Sequence, residues 1–191
     1  MIIRTIEKND IPEIVKLHKL VFSKDHFSSI FPSKLLVKYF ITLYKHHKFK
    51  FVAVENLNIL GYLIGGFNPE IPVNNFLRKH LLSIIFILIM NPKFLLEKIH
   101  GFVSSIFSNQ VNVHKNSVSI YLIAVSNTVQ KRGIGKELLN HFEQKLLANK
   151  ISSYTLAVRI DNFNAIEFYK KNNFTQIDQD YKTLSFKKNL L

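Results

Sequence analysis

The residues most suited to chemistry in this chain act through their backbone. The run Gln130-Lys131-Arg132-Gly133-Ile134-Gly135-Lys136 lies between a strand pattern and a helix pattern. Upstream, Ser119-Ile120-Tyr121-Leu122-Ile123-Ala124-Val125 is almost wholly apolar and reads as a strand. Downstream, Ile134, Leu138, Leu139, Phe142, Leu146 and Leu147 recur on one face of a helix over residues 134–149. A loop with two glycines that opens a helix presents several backbone N–H groups at the positive end of the helix dipole. That is an anion cradle, suited to a pyrophosphate. Two other phosphate loops are excluded. A Walker loop needs Ser or Thr after Gly-Lys, where this chain has Glu137, and the G-x-G-x-x-G dinucleotide fingerprint fails because position 138 is Leu.

A second segment follows at a fitting distance. After a strand at Ser153-Tyr154-Thr155-Leu156-Ala157-Val158 comes Arg159-Ile160-Asp161-Asn162-Phe163-Asn164-Ala165-Ile166-Glu167-Phe168-Tyr169-Lys170-Lys171-Asn172-Asn173-Phe174. The first run fits Gln/Arg-x-x-Gly-x-Gly/Ala, and the second fits V-R-x-x-N-x-x-A-x-x-[LF]-Y-x-x-x-G-F. In this order the two resemble the signatures of the GNAT (Gcn5-related N-acetyltransferase) superfamily, well over residues 117–186 and by pattern alone over 1–66. One departure is Asn173, where the family usually has Gly. Asn is the next best residue for a left-handed helix C-terminus, so the substitution keeps the implied geometry.

The resemblance implies an α/β (α+β) GNAT fold: a central mixed, mostly antiparallel twisted sheet flanked by helices. It also implies acetyl-coenzyme A as co-substrate. The pyrophosphate falls to backbone N–H groups of Arg132 to Lys136, with the polar Gln130 and the positive Lys131, Arg132 and Lys136 side chains around Gly133, Ile134 and Gly135. In the family the strand before this loop splays from its neighbour at a bulge, and main-chain groups around Ile123, Ala124 and Val125 hold the pantetheine arm. Asn162 matches a cofactor-contacting Asn, and is equally well explained as a helix N-cap. Tyr169 matches the tyrosine that protonates the departing thiolate; a phenol with an ordinary pKa near 10 is protonated at neutral pH, as an acid must be. The alternative is a core Tyr beside Phe168.

The general base is not legible. Ile120 to Ile123 and Leu156 to Val158 carry no carboxylate. Glu55, Glu70, Asp25, His26 and His114 are the candidates elsewhere in the chain. His26 lies in the loop between the first two helices, which borders the acceptor site in this fold, and a histidine titrates near neutral pH. An amine of low pKa, such as an amino-sugar, needs no side-chain base. The expected function is N-acetyl transfer to a primary amine of a small molecule. A protein or peptide N-terminal acetyltransferase and a non-catalytic coenzyme A-binding domain are the alternatives.

The rest of the chain reads as one domain over residues 1–191. Its hydrophobic fraction of 47%, with 17 Phe, suffices for an aromatic-rich core. With no cysteine there is no disulfide, thiolate metal site or thiol nucleophile, and the histidines show no metal-ligand spacing. The formal charge of +13 favours anionic partners such as coenzyme A, but no nucleic-acid reading motif accompanies it, so no specific nucleic acid is expected. The N-terminus alternates as a strand over residues 2–7, so a cytoplasmic protein is expected, monomeric or homodimeric. Asp10 and Glu13 are spaced like a capping box before a helix ending near Phe22. A second helix at 33–46 and a hairpin around Asn56-Leu57-Asn58 follow. Residues 68–116 exceed the minimal family core and read as a helical insertion. Its apolar stretch Phe76 to Met90 is too short to span a bilayer. It reads as half of a hairpin covering the active-site side, with peripheral membrane contact through its apolar and basic residues as an alternative.

Overall fold

The structure, a computed structural model, describes residues 1–22, 26–96 and 117–190. Among the described residues, seven strands form one sheet: β1 (Ile2–Thr5), β2 (Phe49–Glu55), β3 (Asn58–Phe67), β4 (Val118–Val125), β5 (Ser153–Arg159), β6 (Thr175–Gln179) and β7 (Thr183–Asn189), in the order β1-β2-β3-β4-β5-β7-β6. Every pairing is antiparallel except β4 with β5. Helices α1 (Ile11–Val21), α2 (Ser33–His46), α3 (Glu70–Lys79) and α4 (Leu81–Ile89) belong to one face, and α5 (Ile134–Ala148) and α6 (Phe163–Lys171) to the other. The sheet therefore carries two cores. Tyr62, Ile64, Leu122 and Ala124 pack with α1 and α2, while Leu63, Phe51 and Ile120 pack with Leu138, Phe142 and Leu146 of α5. This is why β3 is buried continuously from Gly61 to Gly66: covered on both sides, it reads as an apolar run instead of an alternation. The architecture is the mixed, mostly antiparallel sheet with flanking helices that the motifs imply.

Two local readings are corrected, and one strand is added. Asp10 does not cap forward onto Glu13. Its carboxylate instead takes a bidentate pair from Arg4 at 2.7 and 2.8 Å and accepts from the Glu7 N–H at 2.7 Å, and Glu13 pairs with Lys16. The charge on Arg4, at the end of β1, outcompetes a neutral capping bond. The β2–β3 turn holds two residues, because Asn58 already pairs with Glu55; Asn56 and Leu57 both take positive φ, as a type I′ turn requires. The edge strand β6 has no sequence signature, since all five of its residues are exposed.

The insertion begins as two helices meeting at 85°, with α3 anchored through Phe76 against Phe31 and Tyr39 of the α2 side. Most of the second arm expected for the hairpin, residues 97–107, lies outside the described residues.

Candidate active site

The site is a parting of strands. β4 and β5 pair only at Val118↔Tyr154, Ser119↔Thr155 and Ile120↔Leu156. Beyond that point β4 stays with β3 as far as Val125, and β5 stays with β7 as far as Arg159. The cause lies in β4. Opposite β3, Ile64 pairs with Leu122 and Gly65 with Ile120, so Tyr121 is an extra residue, a bulge. The bulge inverts the strand's facing. Before it, Val118 and Ile120 point to the α5 core; after it, Leu122 and Ala124 point to the α1–α2 core, and Ile123 and Val125 to the α5 core. Tyr121 is fixed by a 2.7 Å hydrogen bond between its hydroxyl and that of buried Tyr39.

Between the parted strands lies a cleft of about 620 Å³. Tyr121, Leu122 and Ile123 form one wall, and Ala157, Val158 and Arg159 the other. Past Ile120 and Leu156 the two strands face each other without pairing, so their polar backbone edges border the cleft and await a ligand or water. Asn162, Ala165 and Tyr169 of the α6 segment close one side, and Val21, Phe22 and His26 the other. Ile123, Asn162, Tyr169 and His26 of the expected site residues thus converge on one cavity. Ala124 does not: its side chain is buried in the α1–α2 core. Val125, the last residue of β4, and the run Gln130 to Lys136 beyond it lie outside the cleft lining.

That run begins after a short 3-10 turn at Asn127–Val129. Lys131 and Gly133 take φ of 66° and 82°, and Gly133 is the N-cap of α5. The first N–H of α5 to bond back is that of Glu137, to the Gly133 carbonyl at 3.0 Å, which leaves the N–H groups of Ile134, Gly135 and Lys136 without intrahelical acceptors. The two glycines serve different ends. Gly133 has open space where a Cβ would stand and is required by its dihedral. A Cβ on Gly135 would meet the Phe168 ring at 3.3 Å, so Gly135 lets α5 approach α6. The Arg132 guanidinium lies 3.1 Å from Glu55. Glu55 is therefore engaged beside the loop and does not line the cleft.

Tyr169 is pinned by the end of its own helix. Asn173 has φ of 64°, its N–H reaches the Lys170 carbonyl at 3.1 Å, and the Phe174 N–H reaches the Tyr169 carbonyl at 3.1 Å. This is a Schellman motif, and its apolar contact is that of Phe174 with the Tyr169 ring, centroids 5.3 Å apart. The Asn in place of Gly keeps the left-handed geometry, as expected. Asn173→Ala, which forfeits the tolerance of Asn for this conformation, is expected to cost about 1 kcal/mol in a urea titration, whereas Asn173→Gly should not destabilise. Burial pushes the Tyr169 phenol well above its usual pKa, and among the described residues its hydroxyl has no hydrogen-bond partner. Asn162 is the N-cap as well as a cleft residue: its Oδ1 accepts from the Ala165 N–H at 3.2 Å.

The carboxylate on the cleft lining that the sequence did not single out is Asp161. It is no free base, since Arg159 grips it at 2.7 and 3.0 Å and holds its pKa below the usual range. Glu70 is not on the lining, and Asp25 and His114 lie outside the described residues.

His26 belongs to a chain of polar groups that runs inward to buried Tyr62. The Tyr62 hydroxyl is 2.6 Å from His18 Nδ1, His18 Nε2 is 2.7 Å from Ser28 Oγ, and Ser28 Oγ is 2.7 Å from His26 Nδ1. Tyr62 is fully buried and its hydroxyl meets His18, so its O–H donates to Nδ1. His18 then carries its proton on Nε2 and donates to Ser28, and Ser28 donates to His26 Nδ1. A neutral His26 held this way keeps its proton on Nε2. Burial holds His18 neutral, with its pKa down to about 3. The chain joins residues 44 positions apart, and the one sequence signal is a histidine on the apolar face of α1.

Comparison with known proteins gives the family of this fold. The sequence model of the Acetyltransferase (GNAT) family matches residues 12–174, and the chain belongs to that family. Its fold is shared by the ribosomal-protein-S18-alanine N-acetyltransferase of Escherichia coli (14% identity, TM-score 0.62, 99% of this chain and 93% of that one). The same holds for the PaiA N-acetyltransferase of Thermoplasma acidophilum, solved with coenzyme A (13% identity, TM-score 0.61, 98% of each chain). It holds too for Naa20 of Chaetomium thermophilum, solved with a bisubstrate analogue (17% identity, TM-score 0.61, 100% of this chain and 87% of that one). At such identities the likeness establishes the fold. Family membership supports an acetyl-transfer enzyme.

Proposed function

We propose that this protein is an N-acetyltransferase that uses acetyl-coenzyme A as co-substrate and acetylates a primary amine of a small molecule, an amino-sugar being the first class to test. The observation that carries the reading is the parting of β4 from β5 at the Tyr121 bulge, with the unpartnered N–H groups of α5 beyond its open end. Main-chain groups of Ile123 to Val125 would hold the pantetheine arm, and the N–H groups of Ile134 to Lys136 the pyrophosphate. Coenzyme A supplies the acetyl thioester. Tyr169 keeps a proton at the cleft for the leaving sulfur, and His26 lines the side of the cleft where the acceptor would enter. Among the described residues the one carboxylate on the cleft lining, Asp161, is held by Arg159, which favours an acceptor that is already neutral near pH 7. A peptide N-terminus is the second reading, favoured by one observation: none of residues 70–96 lines the cleft, so this part of the insertion does not close it.

Calorimetric titration with acetyl-coenzyme A tests the reading, beside Gly133→Asp. Asp tolerates the left-handed backbone and meets nothing at Cβ, so the variant should fold while setting a carboxylate at the mouth of α5. Wild type is expected to bind with a Kd on the order of micromolar, and the variant at least about tenfold more weakly. Thiol release with amino-sugars against short peptides then separates the two acceptor classes. Absence of binding by the wild type would overturn the proposal.

A further inference from the structure

The insertion carries the largest conflict between sequence and surroundings. Helix α4, Leu81–Ile89, has one polar residue, Ser83, yet only Ile84 and Ile87 of its nine positions are buried. The opposite side shows Leu82, Ile85, Phe86 and Ile89 to solvent, exposed by 84%, 44%, 67% and 62%. Those positions are i, i+3, i+4 and i+7, the spacing of a stripe that a helix buries against an apolar partner. Met90 extends it at 66% exposure. A contiguous apolar patch of this kind marks an interaction surface.

Charge decides the partner. From Ile71 to Leu96 there are three formal cations, Arg78, Lys79 and Lys93, and no Asp or Glu. They stand at both ends of α4, and Arg78 and Lys79 are exposed. A two-fold contact between copies through α4 would bring the Arg78 and Lys79 pairs of the two copies to one apolar seam that holds no carboxylate. An anionic lipid surface satisfies both features: the stripe enters the acyl boundary while the cations meet headgroup phosphates. No single described helix is long and apolar enough to cross a bilayer. Nine residues extend about 14 Å against a hydrocarbon core of about 30 Å, and α3 and α4 are bent by 85°.

We infer that α4 is a membrane-surface helix that docks the protein on anionic lipid bilayers. The end of this segment lies near the cleft, because Phe94, just past α4, packs on Phe27 at 6.1 Å, next in the chain to His26. An enzyme held this way works on acceptors at or near the bilayer.

Co-sedimentation with vesicles of equal parts phosphatidylglycerol and phosphatidylcholine, and with vesicles of phosphatidylcholine alone, provides the test. The wild-type protein is expected to pellet with the first and not with the second, and to be released as salt rises from about 0.1 to about 0.5 M. Leu82→Asp/Phe86→Asp is expected to weaken binding about a hundredfold, with an unchanged or raised Tm because both side chains are exposed. Arg78→Glu/Lys79→Glu should abolish the preference for anionic vesicles. No binding by the wild type, or binding untouched by Leu82→Asp/Phe86→Asp, would overturn the inference. So would sedimentation velocity showing a wild-type dimer that this variant splits, since the stripe would then belong to a second copy.

Discussion

Acidification from about pH 7 to about pH 4 is expected to remove roughly 6 kcal/mol of folding stability, about 3 from each of two buried histidines. His18 and His47 are nearly inaccessible, and burial lowers their pKa to about 3 and about 4. At His47 the Leu43 and Pro69 backbone groups favour the cation, and neighbouring His46 and Lys50 oppose it, but burial dominates. In the unfolded chain both titrate near 6.5. As the pH falls through that value the unfolded state takes up the protons first. Stability is therefore intact above about 6.5 and drains away down to the folded pKa values. A loss of this size is comparable with the whole stability of a typical domain, so unfolding near pH 4 follows. Urea titrations at several pH values would show it. His18→Gln, which can still bond Tyr62 and Ser28, should lower stability at neutral pH and roughly halve the slope between pH 6 and 4. A stability independent of pH over that range would contradict the account.

Why some of this was legible in the sequence and some was not has a physical basis. The β4–loop–α5 unit is written in residue types because its backbone demands them: a positive φ at Gly133 and a close approach at Gly135. The Schellman end of α6 is written the same way, in Asn173. The cleft itself is less visible. A bulge at Tyr121 changes which way side chains face without changing what they are, and the strand keeps an unbroken apolar run through it. The Tyr62–His18–Ser28–His26 chain is invisible for another reason, since β3, α1 and the following loop meet only in the folded molecule. Strand β6 escapes notice because an exposed edge needs no apolar face. The insertion shows the reverse: its apolar run suggests burial, and the fold leaves much of it outside.

Tyr169→Phe is expected to lower kcat by about a hundredfold or more while leaving stability within about 0.5 kcal/mol of wild type. The two halves of this expectation rest on different atoms. The ring packs with Phe174 and Phe186, at 5.3 and 6.2 Å, and Phe keeps those contacts. The hydroxyl has no hydrogen-bond partner among the described residues, so its removal orphans no other group. Its proton is what the variant loses. Because burial raises the phenol's pKa, the acid stays protonated across the working range, and no alkaline decline in rate from this group is expected below about pH 10. Affinity for acetyl-coenzyme A should not change, since the proton is needed only as the sulfur leaves. A split between kcat and binding therefore identifies a catalytic acid, which a merely structural tyrosine would not produce. An unchanged kcat would return Tyr169 to the core and leave water to protonate the thiolate. Loss of both kcat and stability would mean that the hydroxyl is a structural link.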